Sequence, residues 1–320
     1  MIDKRGITFV MFKWFFAVVA GGIILMFFVR FAFQHIDVSE TVTSYQLVEH
    51  LDDQLEAISV SESSNKIIPF TQETELFFDC DSFGTFEFMK PTEKIIFAPP
   101  SLKGTSLQSW TEDFRFPYTA TSFMYLLNKN TRVILVYDDL TASFAQNLDI
   151  PITFNVLKIH IKDFQTSVIN QQTQTLDKLH LVFFTSIANP TTLAKGLTAD
   201  TSIITVNLND NTINFHTEGT RSFFLTEEML LGAFFAPEHY DCLKDKALKR
   251  HSLVTHVYQR KTQLLQTKTL QTSCESKLVG SARTLSTFLS LKDKDSLLHY
   301  AEKIKQENEL LVNDDCPSIY

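Results

Sequence analysis

Residues 14–29 carry no charged or strongly polar side chain, and Arg30 is followed by three more apolar positions. A run of about 20 such residues matches the ~30 Å hydrocarbon core of a bilayer at 1.5 Å per residue. A helix apolar on all faces is enclosed either by protein or by lipid, and its place at the N-terminus favours lipid. A cleaved secretory signal has a shorter apolar region and ends at a small-x-small site. The stretch RFAFQHIDV after Val29 offers no such site. The pattern therefore predicts a retained transmembrane helix over residues 7–33.

The period then changes. In residues 38–60, Val48, Leu51, Leu55 and Ile58 fall at helical spacings of 3, 4 and 3. This predicts a stalk helix within residues 34–66. It can dock on its own body or pair with a second copy as a homo-oligomer. The polar stretch SESSNK (61–66) reads as a linker.

Next come short runs rich in β-branched and aromatic residues. TELFFDC (74–80) and TFEFMK (85–90) flank a turn and suit a hairpin. KIIFAPP (94–100), RVILVYDD (132–139), TFNVLKIHI (153–161), KLHLVFFTS (178–186) and SIITVNL (202–208) are partly apolar on both faces, as strands covered on both sides are. The segment after Asp139 and the one opening at Asn189-Pro190 are long enough for crossover helices. A hairpin turning at Asp210-Asn211 closes the region. Together these predict an α/β fold over residues 67–236, with a partly parallel sheet flanked by helices. Residues 237–320 read as a C-terminal region of three helices, 239–268, 273–291 and 294–312. Thr272 and Glu275 are spaced as a capping box.

Charge adds an orientation. Residues 1–33 hold Lys4, Arg5, Lys13 and Arg30 against Asp3, which leaves the body 25 of the 29 basic and 36 of the 37 acidic residues. An acidic body without a Lys/Arg cluster is unsuited to nucleic acid. Basic residues before the span put the N-terminus in the cytoplasm and the body outside, under the positive-inside rule.

Lys4-Arg5-Gly6 ahead of an unbroken apolar helix resembles archaeal class III signal peptides, the leaders of type IV pilin-like proteins, and the N-termini of archaeal membrane-anchored surface proteins. The resemblance covers about 30 residues. It implies cleavage between Gly6 and Ile7, which removes residues 1–6 as a cytoplasmic leader and leaves the helix in place. The chain departs from that pattern at Ile7, where many such proteins have Gln, at Met11, where bacterial-type pilins have Glu, and at Lys13 inside the run.

The four cysteines, Cys80, Cys242, Cys274 and Cys316, all follow the span. An even number on an oxidising side predicts two disulfides. Three helices running up, down and up bring Cys274 to Cys316. They leave Cys242 about 40 Å away at the other end, to pair with Cys80. His239 and Cys242 are the close His/Cys pair, and two ligands make no zinc site, so no metal is expected.

The nine glycines form neither Gly-x-Gly-x-x-Gly nor a Walker loop, so no nucleotide or other cofactor is expected. No Gly-x-Ser-x-Gly elbow is present. His251 and His256 diverge on a helix and read as solvated. Asp138 and Asp139 end a strand at the edge where open α/β sheets bind ligands. They are the candidate binding residues, against the plainer reading that they open a loop and cap a helix. The sequence thus predicts a single-pass, membrane-anchored extracytoplasmic protein that serves as a structural or binding module of the cell surface. A pilin-like filament subunit, or a surface hydrolase or transferase with its site near Asp138, are the alternatives.

Overall fold

In the computed structural model the described residues are 4–61, 63–165, 169, 175–184, 190–193, 195–197, 199–269 and 272–320, with side chains of 4–13, 32–41 and 193 left aside. Helix α1 (Lys4–Ser59) is continuous over 56 residues. Its stretch Trp14–Phe31 has a mean hydropathy of 2.2, and none of it is buried.

Two six-stranded sheets follow, where the sequence suggested one. The first contains β1 (Asn65–Phe78), β2 (Ser82–Gly84), β3 (Met89–Pro91), β4 (Ile95–Phe97), β5 (Ser101–Arg115) and β6 (Thr119–Leu127), in the order β3-β2-β1-β5-β6-β4. All its pairs are antiparallel except β4 with β6. The run at 94–100 thus belongs to this sheet's edge and not to the parallel one. The expected hairpin is short: Phe77 pairs with Gly84 and Phe78 with Phe83, and residues 85–88 form no strand.

The second sheet contains β7 (Thr131–Tyr137), β8 (Val156–His160), β9 (Lys178–Phe183), β10 (Asp200–Asn207), β11 (Thr212–Phe215) and β12 (Thr220–Phe223), in the order β12-β11-β10-β9-β7-β8. Its four strands β8, β7, β9 and β10 are parallel. The crossovers contain α2 (Ala142–Asn147) and the single turn α3 (Pro190–Leu193). Asn189, where this segment was expected to open, lies outside the described residues. β10 and β11 turn at Asn211, whose φ is +49°, and β12 extends this hairpin.

Between the sheets lies α4 (Glu227–Phe235), whose residues from Met229 to Phe235 are all buried. Along β6, Phe123, Tyr125 and Leu127 face the α4 core, while Met124 and Leu126 face α1. Along β7, Val133 and Leu135 point toward α4, and Ile134 and Val136 point to a smaller cluster with Leu179, Leu181 and Ile169. This period-two alternation is why both sheets are apolar on two faces. Tyr125 Oη donates to the Glu228 carbonyl at 2.8 Å, and His180 Nδ1 lies 2.6 Å from the Phe234 carbonyl. The helix is therefore tied to both sheets.

Helices α5 (Tyr240–Lys268), α6 (Ser273–Phe288) and α7 (Lys294–Asn313) complete the chain. They share the α4 core, through Leu243, Leu278, Leu285, Phe288 and Ile304. Thr272 is the residue before α6, but its hydroxyl donates to the Thr269 carbonyl instead of capping the helix. Both cysteine pairs lie at disulfide distance. The Cα–Cα separations are 6.0 Å for Cys80–Cys242 and 5.6 Å for Cys274–Cys316, the two pairs that the helix directions predict. Each such bond typically adds ~2–4 kcal/mol.

The stripe Val48, Leu51, Leu55 and Ile58 is at most 1% exposed, packed on the first sheet. That stripe is thus covered by the chain itself, the docking on its own body that was one of the two expectations.

Gly232 fixes the approach of α4 to the first sheet. A Cβ there would meet the ring of Phe97 at 2.5 Å, and that ring is fully buried among Phe123, Tyr125 and Tyr240. Gly232→Ala should destabilise the fold by about 1–3 kcal/mol, the usual cost of overpacking, as measured by denaturant unfolding. Adding Phe97→Leu should recover part of the loss.

Candidate functional site

The carboxyl edge of the parallel strands holds the acids picked from sequence, but it does not bring them together as a site. Asp138 Oδ1 accepts from Leu140 N (3.1 Å), Thr141 N (2.9 Å) and Thr141 Oγ1 (2.8 Å). It closes the turn before α2, a local role that acids and threonines fill well. Asp139 is 77% exposed and pairs with Lys162 at 2.9 Å and His160 at 3.0 Å. Those partners hold its pKa below the ordinary carboxylate value. Gly6 and Ile7 lie within the helical backbone of α1.

Polar side chains instead converge where α4 gives way to α5. Pro237 opens a 3₁₀ turn, Pro237–His239, that joins α4 to α5. The residues of this turn and the first turns of α5 then reach into three separate clusters.

The first is on the second sheet. Glu238 Oε1 accepts from Ser202 Oγ at 3.4 Å and lies 3.5 Å from Lys178 Nζ. His180, fully buried on the neighbouring strand, presents an Nε2 without a hydrogen-bond partner, and so does Glu238 through Oε2. Burial lowers the His180 pKa, and its Nδ1 donates to the Phe234 carbonyl. Burial works against the Glu238 carboxylate, but the neighbouring His180 and Lys178 outweigh it and hold its pKa low.

The second cluster is Ser222, Asp241 and Lys244. Lys244 Nζ lies 2.7 Å from both Ser222 Oγ and Asp241 Oδ1, and Ser222 Oγ donates to Asp241 Oδ1 at 2.5 Å. A serine beside a lysine is a nucleophile–base pairing in some hydrolases. Here the carboxylate takes both the serine proton and the ammonium, so the serine faces no free amine.

The third is Cys80, His239 and Cys242. Lys246 Nζ fixes the approach of Cys80 by donating to its carbonyl at 3.0 Å and to that of Thr92 at 2.7 Å. Sequence reading paired Cys80 with Cys242 and noted His239 beside Cys242, but did not bring all three together as one group.

A fourth set of charges docks the stalk. On α1, Glu49, Asp52 and Glu56 share one face. Lys90 pairs with Glu49 (2.7 Å) and Asp52 (2.9 Å), and Lys94 with Asp52 (2.6 Å) and Glu56 (2.9 Å). Burial raises the Asp52 pKa, but its hydrogen bonds to Lys90 and Lys94 and their charges bring it below the ordinary value. A polar cavity of about 350 Å³ opens beside this set, lined among others by Asp52, Glu56, Lys94 and Arg250.

His251 is 4% exposed, against the expectation that it is solvated, whereas His256 is exposed. Its ring stacks on Tyr118 at 5.3 Å, and Nε2 donates to the Phe116 carbonyl. The aromatic run 113–118 is buried with it, through Phe114, Phe116 and Tyr118.

No family model matches this chain, and no curated protein or solved structure matches it either.

Burial lowers the pKa of His251 to about 4. Below the unfolded histidine value of about 6.5, the unfolded chain therefore binds a proton that the native state does not. Its contribution to stability is complete above pH ~6.5 and is lost as pH falls towards 4, by up to about 3 kcal/mol. Buried His180 acts with the same sign. Denaturation midpoints measured between pH 7 and 4.5 should fall steadily, and His251→Gln should flatten the slope by its share.

Proposed function

We propose that the chain is a membrane-anchored protein whose disulfide-bonded body stands outside the cytoplasm as a structural or binding module. The observation that carries this reading is the continuity of α1. One helix has a bare apolar half, Trp14–Phe31, and a buried half, Val48 to Ile58, seated in a core. In water the bare half would expose large side chains such as Trp14, Phe15 and Phe28, each more than 60% accessible; lipid removes that cost. From Phe31 to Val48 the helix rises about 25 Å, which sets the standoff of the body. Lys4, Arg5 and Lys13 on the near side orient it. The two cysteine pairs suit an oxidising side.

A second reading, a filament subunit that packs through its bare apolar helix half, draws on the same half-bare, half-docked helix and on Lys4-Arg5-Gly6. In it the chain starts at Ile7 and is found in filaments. The arrangement of Asp138 and Asp139 weighs against an enzyme at that edge.

Intact cells treated with protease test the main reading. The body should be digested without permeabilisation, while a fragment containing residues 14–31 stays with the membrane after alkaline extraction. A body that is cut only after the membrane is opened overturns the orientation, and release of the whole chain by alkali overturns the anchor.

A further inference from the structure

The donor atoms of Cys80, His239 and Cys242 all lie within 4.8 Å of one another. They come from the turn after β1, the 3₁₀ turn before α5 and the start of α5. The His239 Nε2 is buried without a hydrogen-bond partner. A polar atom kept dry and unpaired is costly unless something binds it. Bonds of ~2.3 Å to sulfur and ~2.0 Å to nitrogen give a tetrahedral zinc site with edges of roughly 3.5–4 Å. On reduction the two sulfurs, now bonded to each other, separate to about that edge, and the His239 ring already lies within 4.8 Å of both.

We propose that, once the Cys80–Cys242 bond is reduced, these two cysteines and His239 form a three-donor site for a zinc-class divalent cation, with water as the fourth ligand. Disulfide and metal are then alternative states of one site. A dithiol supplies two electrons and two protons: the Cys80–Cys242 sulfur–sulfur bond breaks, two thiols form, and the dithiol becomes a disulfide. Cation binding releases the two thiol protons to solvent as the metal–sulfur bonds form. The pair of thiolates balances the charge of the cation. A small-molecule disulfide takes the two electrons back: its own sulfur–sulfur bond breaks, it leaves as a dithiol with two protons from solvent, the Cys80–Cys242 bond re-forms, and the ion is freed.

The surroundings keep the donors in place when the bond is open. Lys246, on the same helix as Cys242, holds the carbonyls of Cys80 and Thr92 and pairs with Asp81 at 3.3 Å. The second pair, Cys274–Cys316, is not in this three-donor group and serves as an internal control. The proposal does not depend on which side of the membrane the body occupies.

The test uses the full chain in detergent without oxygen, reduced by a water-soluble phosphine, which is converted to its oxide with oxygen from water. Cobalt(II) is the probe. The expected result is one cobalt per chain, with a thiolate-to-cobalt charge-transfer band and tetrahedral visible bands. These should be absent before reduction and displaced by zinc. His239→Gln and Cys80→Ser should abolish the bands, and the double change Cys274→Ser/Cys316→Ser should keep them. Absence of a charge-transfer band in a reduced chain with unchanged circular dichroism overturns the proposal. So does a band that survives His239→Gln, or a chain that unfolds on reduction before cobalt is added.

Discussion

The seven buried residues from Met229 to Phe235 leave α4 without a polar side. A helix of that kind has to be wrapped on every face, and the rest of the body follows from how this is met. One sheet covers it through Phe97, Phe123 and Tyr125, the other through Val182 and Phe184, and the C-terminal helices close the remainder. The close fit of Gly232 on Phe97 brings the helix near enough to seal the core. Once both sheets face α4, their other faces are still apolar and need covering too. On the first sheet that cover is the far half of α1. The helix that bears the membrane-like segment is thereby built into the folded body, not joined to it by a flexible tether.

This coupling has a mechanical consequence. A body on a loose linker samples many orientations, whereas one sharing a 56-residue helix with its apolar N-terminal segment is held in a narrower range relative to that segment. The lysine pairs on Glu49, Asp52 and Glu56 add direction to the apolar contact, since they match only when α1 is in register with β3 and β4. The 3₁₀ turn after α4, with the start of α5, gathers polar groups. That single turn places Glu238, His239 and Asp241 in three different clusters.

Much of the architecture was legible because it rests on local periodicity. The stripe at Val48, Leu51, Leu55 and Ile58, the doubly apolar strands β7 and β9 and the three C-terminal helices all follow from spacing. The cysteine pairs followed from helix length and direction. The division into two sheets was not legible. β4 and β7 look alike as short apolar runs, and which sheet each joins is decided by contacts distant in sequence. α4 was missed for the same reason: EEMLLGAFF is short and has no polar face to reveal a period. Apart from the Cys80–Cys242 pair, the clusters around residues 238–246 were invisible because partners such as Lys178, His180, Ser202 and Ser222 are supplied by folding. At Asp138 the sequence left two roles open, since a strand-end acid can bind a ligand or cap a turn, and the hydrogen bonds to Thr141 supply the second.

The central claim is that one helix runs from bilayer to core. Hydrogen–deuterium exchange on the full chain reconstituted in lipid vesicles tests it most directly. The account predicts two strongly protected stretches in α1, residues 14–31 shielded by lipid and 48–58 shielded by the first sheet, with faster exchange between them. Rapid exchange over 14–31 in vesicles, or over 48–58 while the sheets stay protected, would contradict it.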